Sequence, residues 1–360
     1  SVNNYANKGK KIGVMMSGGL DSSAIAIALK ENDHNEVRTY SANFNHVANN
    51  NDLDETEYQK NITEYTSFYH TQVEMEGKSP IIPIQKFTKE LNQPIIFPNL
   101  YLFLGIIEKM KIDGIELIID GNDGDNTISH GFEAIYDYFK KLRLFRYTKE
   151  IYLYSKFVNS SFKRLFFVFT KQGIKELLKV RPEESKNTIL KEKYKTRKNV
   201  NNLITFYSSH KKKLSIDLHF QANESRNELF RYFQIENFSP FYDEELINFC
   251  INMPNEAKIY NGYTRKILRN FLAEFLPKNH ANRGKSILTP GALNNFSRND
   301  FEIVKNEYTN LNNSLLEFID IEKIKNIIEE LEKGHEISEE KLIDLQLFVS
   351  ANTFLNNFGL

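Results

Sequence analysis

The sequence predicts an α/β fold in which a parallel, doubly wound sheet is followed by a mainly helical C-terminal region. In the first third of the chain, short buried apolar runs alternate with helical segments, which is the order typical of parallel strands joined by right-handed crossovers. From about Tyr136 onward the strand patterns fade, and long charged segments with helical periodicity dominate. We therefore expect an α/β core over residues 1–135 and a mainly helical region over residues 136–360.

Four strands can be located directly from the sequence. Ligands bind beyond the carboxyl ends of the strands in such sheets, so the loops after the first, second and fourth strands should converge. The strands are predicted over residues 11–16, 37–44, 70–75 and 114–120.

Helices are predicted between and after these strands. Acidic residues at the start of one helix, and a proline at the first position of another, suit those positions. The C-terminal stretch 301–360 has the pattern of amphipathic helices without an identifiable catalytic residue. The other helices are predicted over residues 22–31, 83–91, 99–111 and 244–252, from Asp54 onward, and in an apolar segment ending at Leu276.

The composition excludes several classes of protein. The chain has 47 Lys and Arg against 47 Asp and Glu, so no whole-protein field favours nucleic acid or a membrane surface. It contains neither an apolar run long enough to span a bilayer nor a signal-peptide pattern. Cys250 is the only cysteine, which excludes a disulfide framework. We expect a cytoplasmic globular protein with no membrane partner.

One segment departs from this neutral balance. Residues 140–213 carry 21 Lys or Arg against five Glu. The segment could be a docking surface for an acidic partner or for RNA, or it could be a solvated helical face. We favour the solvated face, because the aromatic residues Phe162, Phe166 and Phe167 have the pattern of core positions.

The clearest chemical signal follows the first strand, in the run Ser17-Gly18-Gly19-Leu20-Asp21-Ser22-Ser23. A strand–turn–helix at this point directs backbone N–H groups and the positive end of a helix dipole at one spot, which suits a phosphate. The glycines permit close approach, and the serine hydroxyls add donors. Asp21 would repel phosphates unless a divalent cation lay between them, which indicates Mg2+. We call residues 17–23 the phosphate loop.

A second polar loop follows the fourth strand, over residues 120–131, and we call it the acidic loop. Acidic residues separated by glycines cannot form a core element, so this is either a solvated turn or a cation site. The sheet topology should place it beside Asp21, which favours the cation site. Asp21 and Asp125 are therefore the predicted Mg2+ ligands.

These motifs together resemble a known family. The phosphate loop resembles the S-G-G-x-D-S "PP-loop" of the ATP pyrophosphatases, which split ATP between its α- and β-phosphates. Three further motifs occur in the order found in the synthetase domain of asparagine synthetase and its relatives, β-lactam synthetase and the lasso-peptide cyclases. They are the acidic loop, the run Pro240-Phe241-Tyr242-Asp243, and residues 262–269 with Pro277, Arg283 and Lys285.

The resemblance covers nearly the whole chain and implies a HUP-like sheet of five parallel strands. It also implies ATP and Mg2+ as cofactors, and an enzyme that adenylates a carboxylate and then forms an amide bond. The implied catalytic residues are Lys285, at the reacting phosphate and carboxylate, and Arg283. Amide formation also needs a base near the amine, for which Asp123 is the candidate and Glu133 the alternative; His130 is expected to be structural. The implied nucleotide-binding residues are Met15 and Ala42 at the adenosine, Ser17, Gly18, Gly19, Asp21 and Ser22 at the pyrophosphate, and Gly121 near the nucleotide.

Two departures from the family pattern bear on the substrates. Where asparagine synthetases show S-G-E-G-x-D-E, this chain has Asn122 in place of the glutamate and a new acid at Asp123. These positions lie near the acceptor, so aspartate need not be the substrate, and the pattern resembles the branch that includes peptide-modifying cyclases. The second departure is that only about sixteen residues precede Ser17, whereas asparagine synthetases carry an N-terminal glutaminase domain with a nucleophilic cysteine.

Cys250 lies in an apolar helix and is predicted to be a buried structural residue. We therefore expect the nitrogen to come from ammonia, from an amine substrate, or from a separate glutaminase or peptide-delivery partner or removed domain. Two alternatives remain open: a PP-loop enzyme that modifies tRNA, and a scaffold that only binds nucleotide.

Overall fold

A five-stranded parallel sheet forms the centre of the protein. The structure is a computed structural model, and it describes residues 2, 6, 9–34, 36–44, 55–95, 97–178, 189–191, 210, 217–284 and 289–359, with only the backbone for 217–222 and 289–290. Within these residues the strand order is β3-β2-β1-β4-β5. The predicted fold class is confirmed. The strands are β1 (Ile12–Met15), β2 (Val37–Asn43), β3 (Tyr69–Glu74), β4 (Leu117–Asp120) and β5 (Glu236–Phe238), and a separate antiparallel hairpin contains β6 (Ile259–Tyr260) and β7 (Tyr263–Thr264).

The register of the sheet brings the predicted loops to one edge. Met15 at the end of β1 lies opposite Tyr40 of β2 and Asp120 of β4. Because all these pairs are parallel, the segments that leave β1, β2 and β4 start side by side at the carboxyl edge. The loop after β2, at residues 45–54, lies outside the described residues.

Helices cover both faces of the sheet, as a doubly wound fold requires. The predicted helix boundaries agree with the structure to within two residues at most ends. The helices are α1 (Leu20–Glu31), α2 (Thr56–Thr66), α3 (Ile82–Leu91), α4 (Leu100–Ile112), α5 (Gly124–Thr127), α6 (Phe132–Lys140), α7 (Leu144–Phe157), α8 (Phe162–Leu177), α9 (Asp217–Phe233), α10 (Glu244–Asn252), α11 (Asn255–Lys258), α12 (Lys266–Leu272), α13 (Lys278–Ala281), α14 (Thr289–Asn295), α15 (Arg298–Thr309), α16 (Ile321–Glu332) and α17 (Glu339–Phe358).

The two faces of the sheet belong to two different apolar cores. Val14 and Ile119 face a core that contains the apolar side of α1 together with Leu268 and Leu272 of α12. On the other face, Ile118 packs in a core formed with α3, α4 and the C-terminal helices. The predicted division at residues 135/136 stays a prediction, since both cores combine residues from before and after it.

A third, smaller core joins α6, α7 and α8. Phe162 and Phe166 pack against this core, as predicted. The prediction for Phe167 is wrong, because its side chain is 67% exposed on the outer surface of α8. Part of the basic segment 140–213 lies outside the described residues. No helix in the described part of the chain is both long and apolar enough to cross a membrane.

Candidate active site

The phosphate loop forms a tight turn between β1 and α1. Gly18 has a φ of +86°, in the left-handed region, and a Cβ there would lie 3.0 Å from the Tyr58 Cβ, so glycine suits this position. The Gly19 N–H donates to the Ser17 Oγ at 3.1 Å, and the Ser23 Oγ donates to the Gly19 carbonyl at 2.6 Å. The Ser17 and Ser22 hydroxyls are 3.3 Å apart. The predicted pyrophosphate-binding residues are therefore gathered at the N-terminus of α1.

The acidic loop packs directly against the phosphate loop. A Cβ on Gly121 would lie 2.9 Å from the Ser22 backbone nitrogen, and one on Gly124 would lie 2.6 Å from the Asp21 Cγ. The structure thus brings Asp21 beside the residue that precedes Asp125. The Asp125 carboxylate in turn lies 3.5 Å from the His130 Nε2. Glycines at these two positions are what allow the loops to approach so closely.

Asp21 has a cationic neighbour that the sequence reasoning missed. Arg265 donates from one guanidinium nitrogen to both carboxylate oxygens of Asp21, at 3.1 and 2.8 Å. Arg265 is buried and has a φ of +52°, so it lies in a left-handed turn just before α12. A signal was available, because this residue lies within the motif 262–269. The Arg265 guanidinium therefore balances the negative charge of Asp21.

Arg283 also approaches the phosphate loop. Its guanidinium donates to the Gly18 carbonyl at 2.5 Å and to the Glu55 Oε1 at 2.6 Å, and it lies 4.0 Å from the centre of the Tyr58 ring. These contacts hold the turn in place. Lys285, two residues further on, lies outside the described residues. The catalytic roles assigned to Arg283 and Lys285 stay predictions.

A neutral histidine supports the start of α1. The buried His280 lies with its Nε2 3.0 Å from the Ser23 Oγ and packs edge-on against Tyr58. Burial, and then the nearby charge of Arg283, lower the pKa of His280 to about 4. The imidazole is therefore neutral at physiological pH.

A buried ionic network fixes the start of the acidic loop. Asp120 accepts hydrogen bonds from Arg226 at 2.9 Å, from the Ser239 hydroxyl at 2.6 Å and from the Asn122 backbone N–H at 3.0 Å. Further along, the Thr127 hydroxyl donates to the Phe241 carbonyl at 2.8 Å. The loops that follow β4 and β5 are therefore tied together.

Three neutral polar side chains meet between the loops that follow β4 and β5. The Asn122 side-chain amide donates to the Asn223 Oδ1 at 3.0 Å and to the Tyr242 hydroxyl at 3.1 Å, and the Asn223 amide also donates to that hydroxyl. We call Asn122, Asn223 and Tyr242 the polar triad. Burial, and then the charge of Asp123, raise the pKa of Tyr242 above its usual value, so the phenol keeps its proton. Sequence reasoning identified Asn122 as a departure but did not identify its partners.

The structure also locates the two candidate bases and the two residues predicted to contact the adenosine. Asp123 has a φ of +63° at the turn before α5 and accepts a hydrogen bond from the Asn126 side chain. Glu133 accepts a hydrogen bond from the Ser129 hydroxyl at 2.5 Å and lies 3.7 Å from the buried Lys258 ammonium. Met15 and Ala42 are half-buried near the ends of the adjacent strands β1 and β2. Their roles stay predictions.

Cys250 has the structural position that the sequence predicts. Its side chain is fully buried in α10, and burial raises the pKa of its thiol to about 11. A thiol in this state is a poor nucleophile.

The predicted carboxylates, Asp21 and Asp125, suit a magnesium ion that takes its other ligands from a bound nucleotide. Among the described residues, no three His, Cys, Asp or Glu side chains are grouped as a complete metal site. Mg2+ bound to a nucleotide takes most of its ligands from phosphates and water and needs only one or two carboxylates. Asp21 lies beside Gly124, the residue before Asp125, so these two carboxylates stay the predicted Mg2+ ligands.

The site belongs to the class of α/β proteins in which a glycine-rich turn after the first strand packs against an acidic loop at the carboxyl edge of a parallel sheet. The sequence matches the family described as asparagine synthase over residues 1–356, so the chain belongs to this family of ATP-dependent amide-forming ligases. Comparison with curated proteins finds no match to this chain.

Proposed function

We propose that this protein adenylates a substrate carboxylate with release of pyrophosphate, and then transfers the acyl group to ammonia or an amine with release of AMP. The observation that carries the proposal is the close packing of the two loops. Gly121 and Gly124 lie against Ser22 and Asp21, so one polyphosphate at the N-terminus of α1 would be within reach of both loops.

Magnesium would be held by Asp21 and Asp125. When bound, Mg2+ neutralises charge on the pyrophosphate leaving group. Arg265, which contacts the Asp21 carboxylate, adds positive charge in the same place. The Gly18 backbone N–H would orient the β- and γ-phosphates, and the Gly19 N–H would do so by releasing the Ser17 hydroxyl.

The first step is a substitution at phosphorus. An oxygen of the substrate carboxylate attacks the α-phosphorus, and the bond to the bridging α–β oxygen breaks with its electron pair leaving on pyrophosphate. The protein contributes positioning and electrostatic stabilisation rather than covalent chemistry. We assign Lys285 to the reacting phosphate and carboxylate, and Arg283 to holding the Gly18 turn.

The second step forms the amide. The amine nitrogen attacks the acyl carbon, the bond to the AMP oxygen breaks, and the amine gives up a proton to a base. Asp123 is our candidate base, because it adjoins the polar triad through Asn122. The nitrogen source would be free ammonia, an amine substrate, or a separate glutaminase or peptide-delivery partner.

A peptide macrocyclase of the lasso or β-lactam synthetase type is a narrower form of the same proposal. The neutral Asn122, in place of the family's glutamate, favours it over aspartate amidation. The alternative of tRNA modification receives less support, because the family match covers the helical region as well as the sheet. A cytoplasmic location and the absence of a membrane or nucleic-acid partner stay predictions.

The test is ATP–pyrophosphate exchange by the full chain with Mg2+, over a panel of carboxylates, together with assay of AMP when ammonia or an amine is added. We expect exchange with at least one acid and AMP only when the amine is present.

Gly124→Ala should abolish exchange, because the added methyl group meets the Asp21 carboxylate. Gly334→Ala is the control, since a Cβ at Gly334 meets nothing within 4 Å, although its φ of +79° also strains the substitution. A chain that releases ADP rather than AMP, or exchanges with no acid, contradicts the proposal.

A further inference from the structure

The polar triad lies on the acceptor side of the site. Asn122 and Tyr242 follow β4 and β5, whereas the predicted adenosine residues Met15 and Ala42 lie on β1 and β2. Because β4 separates β5 from β1 in the sheet, the triad lies on the opposite side of the phosphate loop from the adenosine. Tyr242 is 36% exposed, and Asn122 and Asn223 are half-buried, so the triad opens to solvent. The triad is therefore accessible to a ligand from solvent.

The hydrogen bonds inside the triad leave a specific pair of groups for a ligand. The Tyr242 oxygen accepts N–H groups from both Asn122 and Asn223, so its own O–H remains to donate. The Asn122 Oδ1 accepts no hydrogen bond from the described part of the chain and remains an acceptor. One donor and one acceptor side by side are the complement of an amide group, which has one C=O and one N–H.

The charges around the triad also favour a neutral ligand. Asp120, which accepts the Asn122 backbone N–H, is paired with Arg226 and accepts the Ser239 hydroxyl, so its charge is balanced. A glutamate at position 122 would offer a negative charge to an ammonium group, but Asn122 offers none. The charge of Asp123 also acts on Tyr242, but Asp123 accepts a hydrogen bond from the Asn126 side chain and is the proposed base for the amine. A free α-amino acid brings both a charged amine and a charged carboxylate, and the three neutral side chains of the triad compensate neither charge.

We infer that the polar triad binds a neutral amide group of the acyl substrate, with the Tyr242 hydroxyl donating to its carbonyl and the Asn122 Oδ1 accepting from its N–H. This inference rests on the proposed function and narrows it. The substrate carboxylate belongs to a peptide or an N-acylated amino acid rather than to a free amino acid. Asn122 and Tyr242 are specificity-determining residues, and Asn223 orients both.

The experiment uses matched pairs of acids in ATP–pyrophosphate exchange with the full chain and Mg2+. Each pair presents the same side-chain carboxylate in two forms: free aspartate against N-acetylaspartate N-methylamide, and free glutamate against N-acetylglutamate N-methylamide. In at least one pair we expect the amide form to have a kcat/KM about tenfold or more above that of the free form, since the free form leaves uncompensated charge at the triad.

Variants then separate this subsite from the rest of the site. Tyr242→Phe removes one donor and should raise the KM for the amide form about fivefold while kcat changes little, because the lost contact is remote from the reacting atoms. Asn122→Glu should reduce or reverse the preference for the amide form. Tyr260→Phe, at an exposed tyrosine of the β6–β7 hairpin, is the matched control and should match the wild type.

The outcomes distinguish the two proposals. If the chain exchanges with carboxylates but prefers the free form in every pair, or if Tyr242→Phe leaves the KM unchanged, the triad assignment is overturned and the ligase proposal stands. Absence of exchange with every acid overturns the ligase proposal, and the triad assignment with it.

Discussion

The guanidinium of Arg283 connects three parts of the site. It donates to the carbonyl of Gly18, pairs with Glu55 and lies over the ring of Tyr58. These contacts fix the Gly18 carbonyl on one side of the turn, and the Gly19 N–H donates to the Ser17 hydroxyl. Arg283 therefore joins the phosphate loop to the start of α2.

Lys285→Ala should reduce ATP–pyrophosphate exchange by about 10²- to 10³-fold, the usual effect of removing a preorganised charge from a developing transition state. ATP binding should change much less, because the phosphate loop remains intact. Exchange rates and equilibrium binding of a non-hydrolysable ATP analogue are the measurements. Lys278→Ala, at an exposed lysine of α13, is the control and should retain exchange. Persistence of wild-type exchange in Lys285→Ala would remove Lys285 from the mechanism.

His280 predicts a dependence of stability on pH. Its pKa is about 4 in the folded protein against an ordinary value of 6.5, so below pH 6.5 the unfolded chain binds a proton that the folded chain does not. The contribution of His280 to the free energy of unfolding should therefore fall as the pH is lowered from about 6.5 to 4 and then level off. Urea unfolding across this range should show a shallower fall in His280→Gln than in the wild type. The exposed His335→Gln should follow the wild-type profile, and identical profiles for all three proteins would refute the assignment.

At the scale of elements, β4 and α9 are joined through buried charges. Asp120 at the end of β4 and Arg226 in the middle of α9 are both about 5% exposed or less and lie 2.9 Å apart. The Ser239 hydroxyl, just after β5, contacts both. The carboxyl ends of two neighbouring strands and one helix thus share a single polar network, on which the acidic loop rests.

Arg226→Met should lower the free energy of unfolding by about 3–5 kcal/mol, because it leaves the Asp120 carboxylate buried without its charged partner. Arg231→Met is a matched control on the same helix, since Arg231 is exposed and pairs with Glu228 at the surface, where an ion pair contributes about 1 kcal/mol or less. Chemical unfolding of the two variants measures the difference. Equal losses of stability would mean that the Asp120 network is not stabilising.

The elements differ in how far the sequence could predict them. Strands β1 to β4 were located because each has a pattern of apolar residues between helical segments. β5 is only three residues long, and its residues Glu236 and Asn237 are polar, so it has no such pattern. Gly121 and Asp21 were placed together through the topology of a parallel sheet. Arg226 and Asn223 could not be placed, because they lie on α9, whose packing against the sheet is not readable from the sequence pattern. Arg265 lies within the motif 262–269, but that motif does not show its pairing with Asp21.

At the scale of the whole molecule, the C-terminal helices share a core with the sheet. Phe348 and Leu345 of α17 are fully buried in the same apolar core as Tyr40 of β2 and Ile118 of β4. Polar contacts reinforce this packing, since the Ser350 hydroxyl accepts the Ile95 backbone N–H at 2.7 Å. The end of the chain therefore supports the sheet that carries the site.

Phe348→Ala should lower the free energy of unfolding by about 3–5 kcal/mol through loss of buried area and the cavity left behind. Because the core is shared, we expect far-UV circular dichroism and nucleotide binding to be lost in the same transition. Phe358→Ala, at a 48% exposed position of the same helix, should cost much less. Two separate transitions, with nucleotide binding retained after α17 unfolds, would show instead that the α/β core is stable without the C-terminal helices.

The order of the strands has a consequence for how such a protein can diversify. Most of the groups proposed to hold the nucleotide lie on or follow β1 and β2, and the acidic loop after β4 adds Gly121 and Asp125. In contrast, Tyr242 and Asn223 of the polar triad follow β5 or lie on α9. Exchanging the segment after β5 and α9 between relatives would change the acid that the enzyme accepts, while the residues proposed to bind ATP stay the same. A change of substrate would then need substitutions only near β5, at one end of the carboxyl edge of the sheet, rather than a new fold.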